Sequence, residues 1–252
     1  ENDSDIKIGN SKDALDLMKI IDEIYKQKWI NMKKKNVILK FLNGYRSRIN
    51  DLFDLIDINT LESVIQLMID TFRNGKTLYV AGNGGSAATA SHMQADFRFF
   101  VRYFTDFRPK VEALTDNVPI ITAIGNDNSY DDIFVEQMKG VFSKGDIFLA
   151  ISASGNSPNV VKATKYAKKL GGKTIAFCGF TGGELNKISD FSLYTPNKNK
   201  DYGPIEDLHM ILMHVLVNYL TKDSEFLSLK KINFKNKNIL ITGATRGIGK
   251  SI

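Results

Sequence analysis

Between residues 77 and 195 the sequence alternates short apolar runs with segments of helical periodicity, and this alternation restricts the fold more than any other feature. The runs at 77–81, 120–124, 147–152, 174–178 and 191–195 are nearly all apolar, which predicts strands buried on both faces. Segments 86–100, 130–142, 157–170 and 182–188 have helical character. Strand and helix exchanged at this pace predict βαβ units, hence an α/β fold whose mainly parallel five-stranded sheet is covered on both faces. Before the first run, helical spacing marks 12–32, about 37–56 and 60–73, with the polar run 33–36 separating the first two. A closing helix is expected at 204–222, with Pro204 in its first turn.

Composition narrows the class. A chain of 252 residues with 43% apolar and 25% charged residues can bury a core, as one large domain or two small ones. The lone cysteine, Cys178, rules out an internal disulfide, so a reducing, cytoplasmic setting is expected. No apolar run approaches the ~18 residues of a membrane span, and the polar N-terminal stretch is no signal peptide. That stretch also lacks an initiator Met, so the chain is expected to be a slice of a longer one. The net charge of +6 comes largely from short runs at 33–35, 198–200 and 230–237, without interleaved aromatics. No nucleic-acid partner is expected; a phosphorylated metabolite suits the balance. We divide the chain into an N-terminal helical extension (1–36), a main domain (37–222), a basic linker (223–237) and the truncated start of a further domain (238–252).

Two turns carry candidate chemistry. The stretch 81–88, AGNGGSAA, runs from a strand through glycines into a helix, so backbone N–H groups and Ser86 face whatever anion sits at that helix start. It lacks the G-x-G-x-x-G spacing of a dinucleotide turn. The stretch 151–157, ISASGNS, again follows a strand and precedes a helix, and its Ser152, Ser154 and Ser157 offer hydroxyl donors for a phosphate. A ligand-free tight turn, and plain N-capping by Ser154 or Ser157, are the alternatives. Both turns would lie at the carboxyl edge of the sheet, where open α/β folds bind ligands.

The stretches GNGGSAATASHMQADF (82–97), GNDNSYDDIF (125–134), ISASGNSPNVVKA (151–163) and PIEDLHMILMH (204–214) together resemble the sugar isomerase (SIS) domain, and closely the phosphoheptose isomerase family. The resemblance implies a three-layer α-β-α SIS fold, a homotetramer and interconversion of sedoheptulose 7-phosphate with a heptose 7-phosphate for bacterial surface sugars. It assigns Asn83, Gly84, Gly85 and Ser86 to the substrate-binding turn and Asn126 and Asp127 to sugar contacts. Ser152, Ala153, Ser154 and Ser157 fall on its phosphate loop, with Ala153 replacing the family's usual Thr. His92, Asp96, Glu206 and His214 occupy the positions that bind zinc in metal-containing members, and Glu206 also lines the substrate. Aldose–ketose exchange needs a base beside C1 and C2, and at these positions Asp96 is the candidate catalytic base and His214 the acid.

The residues agree in part. His92 and Asp96 are i,i+4 and share one helical face, and a His/carboxylate set is an acceptable N/O site for one divalent metal, Zn²⁺ preferred. Two departures stand out: Asp96 and Glu206 replace the family's Glu and Gln. Asp96 retracts its carboxylate by roughly 1.3–1.5 Å, one carbon–carbon bond, and Glu206 adds a charge. His209, three residues after Glu206, is a candidate substitute ligand by position, with a local hydrogen bond as the alternative. These departures motivate a second reading, a non-catalytic SIS sugar-phosphate-binding or adaptor module.

A third motif, ITGATRGIG at 241–249, follows a short apolar run and resembles the start of short-chain dehydrogenases/reductases. That resemblance assigns Gly243, Gly247 and Gly249 to a cofactor pyrophosphate and Arg246 to NADP, in a domain of which the chain holds about fifteen residues.

Overall fold

The computed structural model describes residues 11–105 and 108–222. In chain order the elements are α1 (Ser11–Phe53), α2 (Ile58–Arg73), β1 (Thr77–Gly82), α3 (Gly85–Asp96), a π-turn (Phe97–Val101), α4 (Arg102–Phe104), β2 (Lys110–Ala113) and α5 (Val118–Asp127). A 3-10 turn (Tyr130–Asp132), α6 (Ile133–Met138), β3 (Ile147–Ser152), α7 (Pro158–Lys169), β4 (Lys173–Cys178), α8 (Leu185–Ile188), β5 (Phe191–Tyr194) and α9 (Tyr202–Lys222) complete it.

All five strands are parallel, in the order β2-β1-β3-β4-β5. Alternation along the strands divides the core in two. Leu78, Val80, Leu149, Ile151, Ile175 and Phe177 meet α2, α3 and α9 on one face. Tyr79, Ala81, Phe148, Ala150, Ala176 and Cys178 meet α6, α7 and α8 on the other. This is the three-layer α-β-α arrangement expected from the sequence. The Cys178 thiol is buried, and burial pushes it up to about 12, which makes it a core residue and not a nucleophile.

Two expectations are corrected. The run 120–124 is helical, inside α5, because Asn117 caps Ile120 N–H and Pro119 sits in the first turn. The strand in its place is β2, four residues long, with Val111 and Ala113 buried and Lys110 and Glu112 exposed. That alternation belongs to an edge strand and is too short and charged to read as a buried one. The polar run 33–36 does not break the helix: α1 continues through it for 43 residues. Lysine is a good helix former, and a stretch exposed on all sides needs no apolar residue to stay helical.

Only the C-terminal end of α1 joins the domain. Leu52 is buried, the Tyr45 hydroxyl donates to Asp207 at 2.5 Å, and Arg48 reaches both oxygens of Asp201 at 2.9 Å. Desolvation, with the Asp207 bond second, pushes the Tyr45 phenol up to about 12. Residues 223–252, and with them Gly243, Arg246, Gly247 and Gly249, lie outside the described residues.

Candidate active site

At the carboxyl edge β1 ends at Gly82, and Asn83 and Gly84 turn the chain into α3. Gly84 has φ +55, a conformation open to glycine at little cost. Gly85 leaves room for α9: a Cβ there would lie 2.4 Å from Glu206 Oε2. Glu206 thus closes over the first loop. Burial, and then the Asp207 charge, raise its carboxyl above the ordinary range. Ser86 is buried in the first turn of α3.

After β3, residues 153–157 lead into α7. The Ser152 hydroxyl lies 3.4 Å from that of Ser154 and 3.2 Å from that of Ser157. Ser157 holds the N-cap position of α7 but its side chain makes no cap hydrogen bond. Ser154 accepts from Asn156 N–H, and Ser152 from Gly155 N–H. The three hydroxyls therefore converge on one another instead of each capping a helix, while Ala153 is buried and its carbonyl accepts from Gly179 N–H. Gly155, at φ +66, presses this loop onto the turn after β4, where an added Cβ would stand 1.9 Å from the Gly182 carbonyl oxygen.

The two loops are tied together through Asn83 by two residues that the sequence did not single out, Asn159 and Tyr130. Asn83 and Asn159 exchange amide hydrogen bonds, each Nδ2 donating to the other's Oδ1 at 2.9 Å. Tyr130 adds its hydroxyl to Asn83 Oδ1 at 3.0 Å, which attaches the turn following Asn126 and Asp127. Those two residues are exposed at the end of α5, with Asn126 donating to Asp127 at 2.8 Å. Asn159 is 1% exposed, and the only sign of it in the sequence is an amide at the start of an otherwise apolar helix face.

A second cluster lies further along the same helices. His92 Nε2 is 3.4 Å from Asp96 Oδ1, His214 Nε2 is 3.7 Å from Asp96 Oδ2, and the two imidazole rings stand edge-on with centroids 5.0 Å apart. The ligand atoms of the three residues all lie within 4.8 Å of one another. Tetrahedral bonds of 2.0–2.1 Å place neighbouring ligand atoms about 3.4 Å apart, so two imidazoles and a carboxylate at this spacing fit Zn²⁺. The cluster opens into a cleft of about 460 Å³, lined also by Phe100, Phe104, Val217, Asn218, Thr221 and Lys222, and by none of the loop residues.

Glu206 does not join this cluster. It lies eight residues before His214, about 12 Å along α9 at 1.5 Å per residue, beside Gly85. His209 is not a ligand either. It is 1% exposed against Phe177 on the sheet side of α9, and neither ring nitrogen has a hydrogen-bond partner. Burial pushes its imidazole down to about 4; the Cys178 backbone opposes this without the geometry of a full hydrogen bond. A histidine neutral in the fold and protonated below 6.5 when unfolded gives stability that is complete above that value and lost as pH falls toward 4. The gap corresponds to about 3 kcal/mol. In urea unfolding between pH 7 and pH 4, His209→Leu should flatten that loss; an unchanged slope would assign it to other groups.

A parallel β2-β1-β3-β4-β5 sheet with glycine and serine loops at the carboxyl ends of β1 and β3 is the architecture of an SIS domain, and the SIS domain family model matches residues 41–179. The phosphoheptose isomerase of Aliarcobacter butzleri is 36% identical over 191 residues, covering 75% of this chain and 98% of its own. That of Sulfurimonas denitrificans is 41% identical over 169 residues, 66% of this chain and 84% of its own. The structure of phosphoheptose isomerase from Neisseria gonorrhoeae superposes with a TM-score of 0.65 at 27% identity, covering 74% of this chain and 97% of that one. The chain belongs to the phosphoheptose isomerase family of SIS domain proteins.

Proposed function

We propose that the chain is an aldose–ketose isomerase that converts sedoheptulose 7-phosphate to a heptose 7-phosphate. The observation that carries this reading is the identity of 36% over 98% of the length of a phosphoheptose isomerase, in a chain whose His92, Asp96 and His214 meet in one cleft. In this reading Ser152, Ser154 and Ser157, with the N-terminus of α7, hold the phosphate and so fix the sugar's position. Asn83 through Ser86, Asn126, Asp127 and Glu206 line the sugar, with Asn83 oriented by Asn159 and Tyr130. Isomerisation moves a proton between C1 and C2 through an enediol. Asp96 takes it from one carbon and returns it to the other, while His214 passes a proton between the two oxygens.

His92, Asp96 and His214 would hold a divalent metal, zinc by donor type, and that ion would polarise a carbonyl or hydroxyl oxygen of the sugar. A carboxylate committed to a metal is a weaker base, so the two roles of Asp96 compete. Purified protein should carry about one zinc per chain and His92→Ala far less. Equal metal content in the two would remove these residues from the metal site. The aromatic residues Phe99, Phe100, Tyr103 and Phe104, exposed beside the cleft, support the homo-oligomer that the family resemblance implies.

Incubation of the full chain with sedoheptulose 7-phosphate should give a heptose 7-phosphate by NMR. Tight binding without turnover, with or without added Zn²⁺, would favour the non-catalytic module instead.

A further inference from the structure

The N-terminal half of α1 carries an apolar stripe that the rest of the described chain does not cover. Met18, Ile21, Tyr25, Trp29 and Met32 follow one another at three- and four-residue steps and are 39–67% exposed, with Leu17 and Ile24 alongside. Asp16, Lys19, Glu23 and Lys34 lie on the opposite side with Ile20 and Ile30 among them, Asp22 and Lys28 flank the stripe, and Lys33 Nζ folds over the Trp29 ring at 4.7 Å. An all-polar helix would need no partner, but this one is amphipathic over about five turns.

The stripe is not a continuation of the face that packs on α9. Carried forward at 3.6 residues per turn, it passes through Asn36, Leu39, Asn43, Arg46 and Asn50, four of them polar. Tyr45, which bonds Asp207 on α9, and Leu52, which joins the core beside α9, lie nearly half a turn away. The N-terminal stripe therefore needs a partner of its own. It also precedes the segment matched by the SIS family.

We infer that this stripe pairs antiparallel with the same stripe of a second copy of the chain. Charge along the helix sets the direction. Residues 11–23 hold four acids, Asp13, Asp16, Asp22 and Glu23, against Lys12 and Lys19, a net charge of −2, whereas Lys26, Lys28 and Lys33 to Lys35 follow in residues 24–35 with no acid among them, a net charge of +5. Antiparallel pairing centred near residues 23–24 sets the acidic half of each helix against the basic half of the other. Parallel pairing would oppose five lysines to five lysines. Such exposed charges choose orientation more than they add affinity. The affinity comes from area: aromatic side chains bury about 150–250 Å² each when covered. With Tyr25 and Trp29 on both copies plus the aliphatic residues, the pair passes the roughly 1,000 Å² of a specific interface. The pairing does not depend on the isomerase reading.

Cysteine cross-linking of the full chain tests it, since Cys178 is buried and its thiol raised to about 12, which leaves an introduced cysteine as the reactive one. Ile24→Cys, near the two-fold centre, should link two chains with a short bismaleimide. Leu15→Cys and Met32→Cys should each fail to link alone and should link when mixed, because antiparallel pairing sets residue 15 beside residue 32 and puts the two copies of residue 15 about 25 Å apart. Adding Ile21→Glu should abolish every link while leaving the circular dichroism of the domain unchanged. Leu15→Cys linking to itself would mean parallel pairing and overturn the proposal. No link in any arm would overturn it in favour of a different occupant of the stripe.

Discussion

Asp96→Ala is expected to lower kcat for sedoheptulose 7-phosphate by about 10²–10⁴-fold, the usual contribution of a positioned general base. Asp96 is 8% exposed and lies against two imidazoles, so the loss should reside in kcat, with binding of a phosphate ligand at the serine loop little changed. Asp96→Asn keeps the volume and removes the base, and should fall equally far. Asp96→Glu extends the carboxylate by roughly one carbon–carbon bond into an open cleft of about 460 Å³, and should stay within tenfold of the parent. Steady-state kinetics on the three variants decide the matter: an alanine variant that turns over as fast as the parent would remove Asp96 from the chemistry. A family of variants that all bind phosphate and none of which differs from an inactive parent would point to the binding-module reading.

The second large effect concerns Gly155. At φ +66 any side chain is strained by about 1–2 kcal/mol, and here the added Cβ would also stand 1.9 Å from the Gly182 carbonyl oxygen, a backbone atom held by the next turn. Gly155→Ala should therefore cost more than about 3 kcal/mol, read as a shift in the urea midpoint, and should weaken phosphate binding with it. Gly84→Ala supplies the comparison. Its φ of +55 is also positive, with ψ −122, a backbone region that side chains rarely enter, but nothing lies within 4 Å of the new Cβ, so only the conformational part, about 1–3 kcal/mol, should appear. If the two variants proved equally stable, the close crossing of the serine loop over the turn at 182–183 would not exist in solution.

The two ligand loops and the sheet that carries them were readable in the sequence because their signals are local. A strand, a glycine or serine turn and a helix start succeed one another within about ten residues at both 77–86 and 147–158. The i,i+4 spacing of His92 and Asp96 is local as well. What depends on packing between distant segments was not readable. His214 reaches Asp96 only because α3 and α9 lie side by side, and Glu206 fails to reach it because eight helical residues carry it back to Gly85. The partnership of Asn83 with Asn159 spans 76 residues and leaves no trace in either local pattern. His209 was misplaced for the same reason, since spacing put it near the ligands while the helix phase turned it to the sheet. The confusion of α5 with a strand had another origin. A five-residue apolar run fits either period, and the cap at Asn117 and Pro119 was the deciding signal.

The reciprocal amide pair has a consequence for how such a chain can change over generations. Loss of Asn83 strands the buried Asn159 amide, at about 1–3 kcal/mol, loss of Asn159 takes one partner from the half-buried Asn83, and either frees the first loop from the second. Single steps away from the pair are thus penalised twice, in stability and in loop alignment. Alignments of descendants should show these two positions drifting together or not at all, with Tyr130, which only adds a third bond, free to drift by itself.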